Sequence, residues 1–224
     1  MKVNFLAIES KTYSSYLIII LLNLINAINS IILNNNDVNI STLIESYCSM
    51  YVLFPLVSTI FLSVCCKNKV FNLKVISLYR FQSASKIILQ QYIYLIKNVL
   101  IFIVMFFIGF FPLLFFFNVK LSFSPIVVFI NYFLYLLVVS CIFIFFNYII
   151  QNLVVSFLIS IIPLYVDLLY FSRCATSISA FCVPNLNYPL NVNCFILSFI
   201  LFVSSLLIFA IHYFFFNRIG VVKQ

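Results

Sequence analysis

The chain has 224 residues, 66% of them hydrophobic and 7% charged, with a net charge of +8. A soluble domain cannot hide that share of apolar side chains, whereas a bilayer can, because a spanning helix needs about 20 mostly apolar residues. The apolar runs are continuous rather than alternating, which argues against a transmembrane β-barrel. The basic residues sit beside those runs, as the positive-inside rule requires, and this argues against nucleic acid as a partner. The expected fold class is an all-α integral membrane protein. It forms a single transmembrane domain over 1–224, multi-pass in the plasma membrane, with the lipid bilayer as its first partner.

Residues 1–14 carry Lys2, Glu9 and Lys11, with Phe5, Ile8 and Thr12 at i, i+3 and i+7. This pattern suits an interfacial helix at the inner membrane surface. A cleaved signal peptide fits less well, since no small-x-small site follows. The first span is expected over 16–33. It carries Asn23, Asn26 and Asn29, and at about 100° per residue Tyr16, Asn23, Asn26, Ala27 and Ser30 share a face. Such a face serves either interhelical hydrogen bonding or a pathway lining.

Residues 34–48 contain Asp37 and Glu45 and no Lys or Arg, which places them outside. Asn39-Ile40-Ser41 matches a glycosylation sequon. The second span is expected over 49–66, with Pro55, Thr59, Leu62 and Cys66 on one face.

Residues 67–98 then hold six of the 12 basic residues and no acid, which places them inside. The spacing over 70–81 predicts a short surface helix. Phe71, Val75, Leu78 and Phe81 would dip into lipid, while Lys74, Ser77 and Arg80 point away from it. Gln82–Lys86 breaks this pattern. Ser83 or Ser85 can cap a new helix that starts near Lys86 and runs on into the third span, 93–117. Between Val99 and Phe117 there is no polar side chain, so a largely lipid-facing surface is expected, bent at Gly109 and Pro112.

The fourth span is expected over 126–146 and the fifth over 153–171, joined by a minimal inner turn. Asn152, Ser156, Ser160, Pro163 and Asp167 form one polar stripe along the fifth. Cys174 and Cys182 fall in the outer loop that follows, on the oxidising side. There they form either a disulfide or two free thiols. The sixth span is expected over 194–216, with His212 near the inner headgroups. Both termini come out cytoplasmic.

Catalytic chemistry is thin. The chain has four acids, one histidine and two glycines, Gly109 and Gly220, so a GxxxxGK[ST] phosphate loop is excluded. No cysteine pair has metal-ligand spacing. Asp167 lies near a span end, where a solvated structural role competes with substrate contact or proton coupling.

The order of these features resembles the permease subunit of an ABC-2 type transporter. The residues that carry the resemblance are the surface helix FLAIESKTYS, the helix-break-helix YRFQSASKIILQQYIYLIKN after the second span, and the outer loop SRCATSISAFCVPNLNYPLN. The resemblance implies a cytoplasmic coupling helix within 70–86. Lys74, Ser77, Arg80, Gln82, Ser83 and Lys86 would then meet a separate ABC ATPase subunit. It also implies a homodimer, or a heterodimer with a related permease. The second and fifth spans would line the pathway, which makes Thr59, Ser156, Ser160 and Asp167 lining candidates beside Asn23 and Asn26 on the polar face of the first span. ATP and Mg would bind the partner ATPase, and this chain would hold no cofactor and no metal. The short form without its own ATPase looks like bacterial exporters of peptides and bacteriocins or their immunity systems. An ATP-independent membrane binding or immunity protein is the alternative, and a secondary transporter using Asp167 and His212 comes third.

Overall fold

A computed structural model describes residues 10–34, 38–47, 53–67, 84–120, 124–174 and 192–222. Every regular element among them is a helix: α1 (Ser10–Asn34), α2 (Ile40–Tyr47), α3 (Leu53–Lys67), α4 (Ala84–Ile108), α5 (Phe111–Phe116), α6 (Ser124–Ile150), α7 (Leu153–Cys174) and α8 (Val192–Val222). Four apolar stretches among the described residues are long enough to cross a membrane. They are Ser14–Leu33 in α1, Ile88–Phe116 in α4 and α5, Pro125–Ile150 in α6, and Ser198–Phe215 in α8. The regions expected as second and fifth spans are helical, and among the described residues their apolar stretches are shorter, with 15 residues in α3 and Leu153–Ile162 in α7.

The helix α6 is the hub. It packs against α3, α4, α7 and α8, and two thirds (67%) of its apolar stretch is buried, against 17% for α8. The periphery is a belt of exposed side chains such as Leu17, Leu21, Ile25, Leu100, Val104, Leu158, Phe199 and Phe214. Water does not tolerate an apolar surface of that extent, and hydrocarbon does.

Residues 10–14 run straight into the first span as one helix. No Gly or Pro between Ser10 and Tyr16 interrupts it, so this part of the expected interfacial segment is continuous with α1; residues 1–9 lie outside the described residues. The helix α2 was not anticipated within the polar segment. Asn39 caps it: its Oδ1 accepts from the Thr42 backbone N–H at 2.9 Å, and the Thr42 hydroxyl accepts from the Asn39 N–H at 3.0 Å. This reciprocal arrangement satisfies two otherwise orphan donors.

The helices α4 and α5 are separated by a break at Gly109–Phe110. Pro112 has no N–H to give the Ile108 carbonyl, and its ring crowds that carbonyl, so a continuous helix is disfavoured here. The Phe110 N–H turns back to the Phe107 carbonyl at 3.0 Å instead of reaching Phe106. The Phe106 carbonyl thereby loses its helical donor, and the Tyr47 hydroxyl, carried in by α2, donates to it at 2.8 Å. Gly109 makes this close approach feasible. A Cβ built there would meet the Ile20 Cγ2 methyl and stand 2.8 Å from the Tyr47 hydroxyl.

The break takes the expected position, and the expected lipid-facing surface covers only one side of the helix. Val99, Phe102, Phe106, Phe110 and Leu113 form a buried stripe, and only the opposite side, including Leu100, Val104 and Ile108, is exposed. The stripe is fixed by ring packing. Phe102 meets Tyr16 at 4.9 Å between centroids, and Phe106 meets Tyr47 at 4.8 Å and Phe129 at 5.7 Å.

A tight turn joins α6 to α7. Gln151 adopts a left-handed backbone (φ 55°), and Asn152 Oδ1 accepts from the Val154 and Val155 N–H groups. Asn tolerates the N-cap role as well as Ser or Asp does, so two residues suffice to reverse the chain.

Candidate functional site

The residues singled out as pathway lining divide into separate places. On α1, the buried arc is centred on Tyr16, Asn23 and Ala27. Counting about 100° per residue, Asn23 lies within 20° of that centre and Asn26 about 80° away. Asn23 is accordingly buried at 1% exposure, while Asn26 is exposed. Neither polar atom of the Asn23 amide has a hydrogen-bond partner among the described residues. Ser58 Oγ on α3 is in the same condition. An unpaired amide in an apolar interior costs on the order of 1–3 kcal/mol, so this face is under-satisfied as it stands.

Thr59 meets α7, because α3 packs on it, but not at the stripe. Thr59 Oγ1 lies 3.4 Å from the Tyr165 hydroxyl, which at about 100° per residue stands roughly 140–180° around α7 from Ser160 and Ser156. Ser156 and Ser160 are buried, as the stripe requires. Their hydroxyls donate to the carbonyls of Asn152 and Ser156, each at 2.8 Å. Back-bonding of this kind keeps the hydroxyl hydrogens inside their own helix. In this arrangement the stripe offers acceptors rather than donors.

Asp167 and Cys174 belong to α7, and Lys86 to the first turn of α4, but their side chains lie outside what the structure describes. Lys74, Ser77, Arg80, Gln82, Ser83 and Cys182 lie wholly outside the described residues.

His212 departs most from its expected interfacial place. It is fully buried. It sits among Tyr148, Tyr92 and Phe145, with ring centroids at 5.3, 5.6 and 6.0 Å. The Tyr92 hydroxyl is 3.1 Å from its Nδ1. Three helices supply this box, at the end of the bundle where α4 begins and α6 and α8 finish. Further buried polar groups occur on the same helices: Gln91 and Asn98 on α4 and Asn147 on α6. A single histidine at the end of an apolar helix gives no sequence signal of burial, because its partners are 64 and 120 residues away.

At the opposite end, the Ser198 hydroxyl donates to Asn131 Oδ1 and ties the start of α8 to α6. The two polar ties fix α6 and α8 parallel to each other and antiparallel to α4. Among the described residues no cluster of His, Cys, Asp or Glu could hold a metal ion. Cys65 and Cys141 are buried as thiols rather than joined in disulfides. Comparison with family models, with curated proteins and with solved structures finds no match.

Proposed function

We propose that the chain is the membrane-spanning permease subunit of an ATP-driven exporter of the ABC-2 type, moving peptides or other amphipathic substrates out of the cytoplasm or the membrane. The reading takes six spans, with α3 and α7 as the second and fifth, and both termini cytoplasmic. A separate ATPase subunit binds ATP and Mg, and a second permease copy or a related permease completes the assembly.

The observation that supports it is α4. This helix begins at Ala84, inside the basic stretch 67–98 and four residues ahead of the apolar stretch, and runs unbroken for 25 residues. A helix of that length is a rod of about 37 Å. Movement imposed at the start of this helix, near Lys86, would reach the Gly109 break without being absorbed on the way. A link of this kind needs a rigid element and a docking surface, and no catalytic side chain.

The test is purification of the chain from its native membrane together with the ATPase that accompanies it. Charge reversal at Arg80→Glu with Lys86→Glu is expected to abolish both co-purification and transport. Survival of both would remove residues 70–86 as the docking surface. If no ATPase accompanies the parental chain, the ATP-independent binding or immunity reading replaces this one.

A further inference from the structure

The Tyr92–His212 contact is a polar tie between α4 and α8. The helix α6 packs broadly on α8, while α4 meets α8 over a smaller surface. At that surface the Tyr92 ring stands edge-on to Phe209 at 4.7 Å, and its hydroxyl reaches His212. A polar contact between membrane helices is strong enough to hold a resting state and weak enough to open.

We propose that Tyr92 and His212 form a releasable clasp, which holds the beginning of α4 against the ends of α6 and α8 and opens to admit water into this end of the bundle. This goes beyond the transport reading and does not rest on it. The clasp is built from a phenol and an imidazole rather than from apolar side chains. An apolar pair would pack as well in hydrocarbon but would not be directional. The hydrogen bond fixes the rotation of α4 about its axis as well as its position, so Gln91 and Asn98 stay turned inward while it is closed. Tyr148 and Phe145 hold the imidazole from the α6 side, so release separates α4 from a box that remains intact.

A native reporter is in place. Cys141 on α6 is buried at 1% exposure and lies one turn before Phe145, which packs on the His212 ring. The experiment uses the full chain with Cys141 as its only cysteine, in membrane vesicles, and follows the rate of N-ethylmaleimide labelling. Tyr92→Phe keeps the ring and removes only the hydroxyl. His212→Phe keeps the bulk and removes the ring nitrogen that the Tyr92 hydroxyl meets. Each is expected to raise the labelling rate about three- to eighteenfold, the range that corresponds to one interhelical hydrogen bond. The double variant is expected to label no faster than the faster single. His212→Asn, whose carbonyl oxygen stands near the Nδ1 position, is expected to return the rate to within twofold of the parent. Rates within twofold of the parent for both single variants would overturn the clasp. So would a double variant equal to the product of the singles, or equal rates for His212→Asn and His212→Phe.

Discussion

Gly109→Ala tests the most crowded point in the bundle. Gly109 is buried and does not adopt a positive φ, so alanine meets no backbone penalty there. On propensity alone the change would stabilise by up to about 1 kcal/mol. The space decides otherwise. Carbon contacts settle at about 3.5–4.0 Å, whereas the new methyl would stand 2.8 Å from the Tyr47 hydroxyl and closer still to the Ile20 methyl. Ile20 is β-branched and cannot swing its Cγ2 aside without leaving its rotamer. Overpacking of this kind costs about 1–3 kcal/mol.

Displacing the Tyr47 hydroxyl adds a second cost, because the Phe106 carbonyl then loses its donor in a buried place, at about 1–3 kcal/mol. The net expectation is a loss of about 2–4 kcal/mol, or a fall in thermal midpoint on the order of 5–15 °C for a chain of this length. The assay is residual monodisperse elution in detergent after a temperature series. Repeating it in a Tyr47→Phe background isolates the cause. There the hydroxyl is already absent, so Gly109→Ala should cost at least about 1 kcal/mol less than in the parent. A midpoint for Gly109→Ala at or above the parent refutes the packing account. An equal fall in both backgrounds refutes the role of Tyr47.

Asn23→Leu removes a buried amide without partners and should raise the thermal midpoint by a few degrees, on the order of 1–2 kcal/mol; a fall would show that the amide is bonded. Asn39→Ala should lower it by about 1 kcal/mol and accelerate hydrogen exchange across α2, while Asn39→Asp keeps the cap and leaves exchange unchanged. Ser156→Ala should shift stability by less than about 0.5 kcal/mol, since the hydroxyl bonds only its own helix; a larger loss would mean that it holds a neighbouring helix.

The positions of the long helices were legible because an apolar run of spanning length fits little besides a membrane helix. The break was legible because Pro112 forbids a specific backbone hydrogen bond. The face that α4 buries was not, because a stretch with no polar residue carries no contrast between its sides. Phenylalanine packing chose the stripe there, and sequence distance hides which rings meet. The helix α2 could have been found: Ile40, Leu43, Ile44 and Tyr47 fall at i, i+3, i+4 and i+7 behind an Asn cap. The polar composition around them drew attention to sidedness instead. On α1 the polar face was read too wide by one residue, since Asn26 lies just past the edge of the buried arc. For His212 nothing local could have helped, because a clasp made by residues 120 positions apart exists only in the folded bundle.

The tyrosine that completes the α4–α5 break also bears on the order of assembly. Hydrocarbon supplies no substitute donor for the Phe106 carbonyl, so the break is finished only once α2 has docked. The donor lies 59 residues earlier in the chain, and is therefore made before the segment that needs it. Synthesis from the N-terminus thus delivers the wedge ahead of the gap, and a fragment beginning at α4 would have to insert with that carbonyl exposed.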